Sequence, residues 1–373
     1  MNHNLGGKLI KRLSLSNEEL ATFEEEPSPV LPPADIVSYN ELRSCADLFR
    51  MQREGDLEIQ PTFQRSVVWP DASRTRFIDS LIKSLPIPSM CFSVDYGTQK
   101  WQVIDGLQRM SSIISFLDPA SKWVLSNLSD VDQDIRGKAV SDFHKPDSSV
   151  YKYFRIVSNL TIPVTVLRCD YSKPEHMEYL FVIFNRLNSG GYRLTNQEIR
   201  NCIYSGGFNF LLHDLTKQKN WAHLCNLARV KDERFRRQEL VLRFFAFYES
   251  FEEYGENLAT FLNTYMNIRR NASESQRHQL SDMFKRTVNL LSTTIFSTET
   301  TERSSIMQLE AAMVGVARNY DALSMLPKSE VLSRFNLMLS NDEFGDEKLS
   351  AGLLKPQRVL GRLNEAVRVF GGK

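Results

Sequence analysis

The chain has 373 residues, 42% of them hydrophobic and 24% charged, a composition ordinary for soluble globular domains and long enough for two cores. Forty-six Lys and Arg against 45 Asp and Glu leave a formal net charge of +1, which excludes the strong overall positive bias of a protein whose main affinity comes from DNA phosphates. The five cysteines (Cys45, Cys91, Cys169, Cys202, Cys225) form no C-x-x-C pair and have no histidine at zinc-finger spacing, which argues against a disulfide framework or structural zinc. There is no apolar run of membrane-spanning length and no signal sequence, so the expected location is the cytoplasm, with no membrane partner.

In chain order, residues 1–33 carry Glu24-Glu25-Glu26-Pro27-Ser28-Pro29 and Pro32-Pro33, a composition that favours a flexible, extended arm. Leu57-Glu58-Ile59 reads as a short strand whose ladder ends at Pro61, which leaves Gln64 and Arg65 on a loop. Phe63 and Trp69 read as core anchors. A helix over 73–83 places Phe77, Leu81 and Ile82 on one face, and Leu85-Pro86-Ile87-Pro88 turns the chain into a strand over 89–94. A second strand, 100–104, ends at Asp105. Gly106 marks a turn, and a helix with apolar residues at helical spacing runs over 110–117.

That strand–glycine–helix turn aims unpaired N–H groups and the positive end of a helix dipole at one point, which suits phosphate. Gln108 and Arg109 stand in its first turn. Arginine adds a planar, permanently charged fork for phosphate oxygens, and Asp105 suits a divalent metal or the orientation of a water. With Gln64-Arg65 upstream, two Gln-Arg pairs sit at separate chain turns. The same spacing also fits a plain capped turn in which Arg109 pairs with Asp105.

Further on, His144 lies in a polar loop and reads as an exposed imidazole, and 162–167 reads as the last strand. A helix entered after Pro174 runs to Leu187 and stops at Asn188-Ser189-Gly190-Gly191. Thr195-Asn196-Gln197-Glu198 fits a capping box, which gives Glu198 a structural part. Asn185 and Arg186 near that helix end, and Arg200 in the next helix, either flank the phosphate site or simply meet solvent. The densest basic run, 229–238, is interleaved with Asp232 and Glu233 and reads either as a solvated helix start or as a nucleic-acid patch. Beyond Lys173 nearly every apolar run has helical spacing, including 240–251, 258–268, 283–291, 306–317 and 351–369.

Taken together, Ile59-x-Pro61-x-Phe63-Gln64-Arg65, Val68-Trp69, Ile78-Asp79-Ser80-Leu81, Pro86-Ile87-Pro88 and Val103-Ile104-Asp105-Gly106-x-Gln108-Arg109 form an ordered series. It resembles the N-terminal domain of the GmrSD-type restriction endonucleases, which carry a DGQQR motif. The likeness continues at Phe184-Asn185-Arg186-Leu187-Asn188-Ser189-Gly190, Glu198-Ile199-Arg200-Asn201 and Glu239-Leu240-Val241-Leu242-Arg243-Phe244-Phe245, over roughly residues 35–250. The resemblance implies a ParB/sulfiredoxin-like domain with a nucleoside triphosphate site at the Asp-Gly-x-Gln-Arg turn, in defence against foreign or modified DNA. Leu107 replaces the motif's glutamine, so any polar role of that side chain is lost while Asp105, Gln108 and Arg109 remain.

The expected fold class is therefore α+β: a flexible arm (1–33), a ParB/sulfiredoxin-like mixed α/β domain (34–172) and an all-α helical bundle (173–373). The leading expectation is a nucleotide-binding protein, a nucleoside triphosphatase of a prokaryotic DNA-defence system. In it Arg65, Gly106, Arg109, Asn185, Arg186 and Arg200 hold the nucleotide, Gln64 and Gln108 orient an oxygen or water, and Asp105 binds Mg²⁺ or a water. Expected partners are a nucleoside triphosphate, DNA, modified or unmodified, and a nuclease subunit. The six histidines form no HNH-type unit and no Walker loop is present. Two alternatives stay open: a ParB-like metal-dependent nuclease or nickase using Asp105, and a non-catalytic scaffold of a defence complex.

Overall fold

A computed structural model describes residues 15–59, 69–187, 194–231, 233–255, 257–297 and 304–372. The chain divides into two units, Val30–Leu194 and a second made of Met1–Pro29 with Thr195–Lys373. The first described element of the second unit is helix α1 (Asn17–Ala21), opened by a capping box in which Ser16 and Glu19 satisfy each other's backbone N–H groups.

The first unit is a mixed α/β domain. Its elements are β1 (Val37–Ser44), α2 (Cys45–Arg53), β2 (Leu57–Glu58), α3 (Asp71–Ile82), β3 (Met90–Asp95), β4 (Trp101–Asp105), α4 (Leu107–Leu117), α5 (Val140–Phe143), α6 (Tyr151–Asn159), β5 (Thr161–Cys169) and α7 (Pro174–Leu187). The strands form one sheet in the order β1-β5-β3-β4-β2. β1 and β5 pair antiparallel, β5 and β3 parallel, β3 and β4 antiparallel, and β4 and β2 parallel. β3 is buried along its whole length, as a central strand should be. Alternate residues of β5, Ile162, Val164 and Val166, join Leu48 of α2, Ile78 and Leu81 of α3, Met110, Ile113 and Phe116 of α4, and Val157 of α6 in one core.

This connectivity puts the C-terminal ends of β2 and β4 and the N-terminal end of β3 at one edge of the sheet. The turn from β4 into α4 therefore emerges beside the start of β3. On the way to α7, the Tyr171 N–H donates to Asp95 Oδ1 at 2.9 Å and its hydroxyl bonds Ser93 Oγ, which ties that connection to β3. Trp69 packs against the core, edge-on to Phe77, in the anchoring role expected of it; Phe63 lies outside the described residues. His144 differs from expectation. Its Nε2 lies 3.0 Å from the Phe116 carbonyl and its ring 4.5 Å from that of Phe154, so the imidazole bridges two helices half-buried, because a nearby carbonyl and an aromatic face compete successfully with water.

The second unit is helical: α8 (Asn196–Ile203), α9 (Gly207–Thr216), α10 (Lys219–Leu227), α11 (Arg236–Ser250), α12 (Leu258–Arg269), α13 (Glu274–Leu290), α14 (Ile306–Arg318), α15 (Tyr320–Ser324), α16 (Lys328–Leu339) and α17 (Pro356–Phe370). The expected helical stretches all fall within it. Thr195 and Glu198 do form the reciprocal cap of α8. The core is aromatic, with Phe244, Phe245 and Phe247 of α11 buried and Phe244 edge-on to Phe284.

Charges are buried in that core as a connected set. Arg243, 0% exposed, donates to Glu239 Oε1 at 2.7 Å, to Glu310 Oε1 at 3.3 Å and to the Thr22 carbonyl at 2.8 Å, and lies over the Phe23 ring. Arg200 shares Glu239. The composition of residues 1–33 favours an extended arm, yet residues 15–25 contribute buried side chains and helix caps to the helical unit. Leu15 and Phe23 are buried, Glu19 Oε1 accepts the Ile306 N–H at the head of α14, and Glu25 Oε2 accepts the Leu258 N–H at the head of α12. These carboxylates serve as caps for helices far along the chain, a role that composition does not reveal.

Candidate functional site at the β4–α4 turn

β4 ends at Asp105, and Gly106 then takes φ 95° and ψ 15° as the residue before α4. Two constraints require glycine. The left-handed backbone disfavours any other residue, and a Cβ here would meet Met90 Cγ at 2.6 Å and Sδ at 2.9 Å. Because glycine has no side chain, α4 starts without a side-chain cap. No N-cap side chain therefore takes up the first amides of this eleven-residue helix.

Around this turn the sequence places four residues together. Arg109 Nη2 pairs with Asp105 Oδ2, at the end of β4, at 2.7 Å. The same guanidinium donates to the carbonyls of Pro88, through Nη1, and Ser89, at 3.4 Å through Nη2. Arg109 is 13% exposed and Asp105 35%, so the pair sits at the lip of the turn rather than in the core. Gln108 Oε1 accepts the Trp69 N–H at 2.9 Å, and its carbonyl accepts from Ser112 Oγ at 2.7 Å. Leu107, the position at which the motif's glutamine is missing, packs against the core.

Behind the turn, the Cys91 thiol on β3 is paired in register with Asp105. Burial pushes it up to about 12, with the Asp105 charge adding to the effect, so this cysteine stays a thiol and is no nucleophile. The described residues contain no group of three or more His, Cys, Asp or Glu side chains that could hold a metal. Asp105 is one carboxylate, engaged by the Arg109 guanidinium.

Residues 45–205 match the GmrSD restriction endonuclease, N-terminal domain. The match runs from the start of α2 through α8 and includes the β4–α4 turn; α9 to α17 lie beyond it, and it spans less than half of the chain. No curated protein matches the chain. The matched segment thus covers most of the mixed α/β domain, and a largely helical region follows.

The other residues expected at the site fall in different places. Gln64 and Arg65 lie outside the described residues. The described chain on either side of them is fixed beside the turn, since Glu58 pairs with Gln102 in β4 and the Trp69 N–H bonds Gln108. Asn185, half-buried, and Arg186, exposed, stand in the last turn of α7, which packs on β4. Arg200 belongs to the helical unit, is 1% exposed, and is engaged by Glu239 at 3.2 Å and Asn263 at 2.8 Å. Withdrawing a guanidinium enclosed in that way would leave the Glu239 charge in the core without this partner.

Three contacts at the site were not foreseen: Met90 against Gly106, the Pro88 and Ser89 carbonyls on Arg109, and Trp69 on Gln108. Their only cue in the sequence is the proline pair that fixes the entry to β3.

Proposed function

We propose that the β4–α4 turn binds phosphate and that the chain is a nucleotide-binding protein, a nucleoside triphosphatase, of a restriction-type DNA-defence system. The observation that carries this reading is the head of α4, where amides without a side-chain cap lie beside a guanidinium held at the lip of the turn. Backbone N–H groups and the helix dipole favour an anion at that point, and arginine offers two parallel donors to its oxygens.

In this reading the Asp105–Arg109 pair is the part that responds to the ligand. Three partners keep Arg109 aimed, and an incoming phosphate competes with Asp105 for it. Asp105, released from the pair, is then a carboxylate beside a bound triphosphate, placed to orient a water. Gln108 acts by fixing Trp69, the end of the segment that carries Gln64 and Arg65, and Arg65 supplies a second guanidinium. A divalent cation comes with the triphosphate rather than with the protein, since Mg²⁺ is commonly held by substrate phosphates and one or two carboxylates.

One observation favours a second reading, a non-catalytic scaffold. Leu107 is a packing residue, and the polar side chains that flank it already have partners within the fold. The deciding experiment is a nucleotide panel tested for binding and phosphate release, with and without DNA and Mg²⁺, on the wild type, Arg109→Ala and Arg65→Ala. Loss of a charge-assisted contact should weaken triphosphate binding about tenfold to a hundredfold in Arg109→Ala. Unchanged affinity in that variant would sink the phosphate site. Binding without release would favour the scaffold, and metal-dependent plasmid nicking lost in Asp105→Ala would favour the nuclease.

A further inference from the structure

The two edges of the sheet in the α/β unit differ. At one, β2 consists of Leu57 and Glu58; at the other, β1 runs from Val37 to Ser44 and pairs, among the described residues, with β5 alone. We propose that β1 is the contact between two copies of this chain, which pair antiparallel, edge to edge, and join their sheets into one.

An open edge is a template for another strand, and folds blunt it with short strands, bulges, proline or lysine. β2 is blunted by its length. β1 has none of these devices: its register with β5 runs unbroken from Val37 to Ser44, and VSYNELRS contains neither proline nor lysine. Along it Val37, Tyr39 and Leu42 are exposed apolar side chains, Leu42 at 69%.

The phase of the backbone is the next argument. Antiparallel strands alternate pairs that exchange hydrogen bonds with pairs whose N–H and C=O groups point away from each other. The Cys45 N–H donates to the Leu160 carbonyl at 2.9 Å, one step beyond the Ser44–Thr161 pair. Odd-numbered positions of β1 therefore bond β5, and Ser38, Asn40 and Leu42 turn their backbone groups to the open side. Leu42 lies opposite Pro163, which has no N–H and so fits a pair that exchanges none.

A twofold axis through Leu42 satisfies backbone and charge together. Leu42 then faces Leu42 of the second copy, where the two exchange N–H and C=O bonds and take each other's side chains out of water. On the other face of the sheet Glu41 faces Arg43 of the second copy, and Arg43 faces its Glu41. Shifting the axis by one residue sets Glu41 against Glu41, or Arg43 against Arg43, and like charges directly opposite are destabilising. Within one copy Arg43 holds Glu41 and Asp47 at 2.7 Å each, which fixes the guanidinium at the edge before the partner arrives. A second copy fits this edge because the strand carries its own complement. Since β1 pairs with itself, the contact closes at two copies instead of growing into a filament. The inference is independent of the nucleotide site, because it uses none of the residues at the β4–α4 turn.

Sedimentation velocity of the full chain over a concentration series tests it, and a concentration-dependent dimer is the expected result. Leu42→Pro removes an N–H that β5 does not use, so this variant should keep its thermal melting and lose the dimer. Glu41→Arg and Arg43→Glu should each raise the dissociation constant about tenfold or more, because each sets like charges face to face at two places. Mixed in equal amounts, the two charge variants oppose basic residues to acidic ones and should form a heterodimer in native mass spectrometry, a recovery that a damaged fold would not give. A chain that stays monomeric at every concentration would overturn the proposal and leave the edge to a strand of another protein. So would a dimer that survives Leu42→Pro and both charge variants, or folded charge variants that stay apart on mixing.

Discussion

Gly106 is where backbone conformation and packing act on the same atom. A side chain there would face both the left-handed φ of 95° and Met90 Cγ at 2.6 Å, and Met90 is itself fully buried. Gly106→Ala should therefore destabilise the α/β unit by about 1–3 kcal/mol in urea denaturation. Shortening Met90 to Ala in the same chain should remove only the steric share of that cost. A Gly106→Ala protein as stable as the wild type would mean that the turn relaxes freely. At this scale the turn was legible in the sequence, because Asp105, Gly106 and Arg109 are local and their chemistry is written in their spacing. Arg200 was not. Its partners Glu239 and Asn263 lie 39 and 63 residues away, and only the packed helices reveal that it is enclosed.

Helix ends carry much of the second unit's organisation. The head of α12 is capped by Asn257, and Glu25 Oε2 accepts the N–H groups of both Leu258 and Ala259. Burial pushes the Glu25 carboxyl above its ordinary 4.5, against the two backbone donors and the positive charges of Arg243 and Arg200, which pull it down. A group whose folded pKa is raised contributes stability that is fully present below the unfolded value and is lost as pH rises through the folded one. Glu25→Gln keeps an accepting oxygen and removes the titration. Its stability relative to wild type should therefore rise as pH is taken from about 4 to 7 in denaturant titrations; a difference that is flat with pH would show that the carboxyl does not titrate differently on folding. Elements with strong local signals were legible, such as α7 behind Pro174 and the Thr195–Glu198 cap of α8. β1 was not, because an exposed edge strand of sequence VSYNELRS lacks the alternation that a half-buried strand writes into its residues.

Over the whole molecule, the α/β unit is an insertion between two parts of the helical unit. The chain leaves the helical unit after Pro29 and returns at Thr195, and the two crossings are joined where Asn196 Nδ2 donates to the Glu25 carbonyl at 2.7 Å. A chain begun at Val30 loses the Thr22 contacts of Arg243 and the Glu19 and Glu25 caps of α14 and α12, while the α/β unit keeps all of its own residues. Such a truncation should unfold the helical unit at a much lower denaturant concentration and leave the α/β transition near its original midpoint. A single unshifted transition would count against this division of labour. The helical content of the second half was legible from periodicity, whereas its dependence on Leu15–Pro29 was not, because composition alone suggested an arm.

The stitching of that first segment also sets an order in time. Thr22 must wait for Arg243, 221 residues on, and Glu19 for Ile306, 287 residues on. On the ribosome the α/β unit emerges whole while Phe23 and its neighbours are still without their partners. The segment around Phe23 is then secured late, and during that interval it is open to proteases and in need of chaperones.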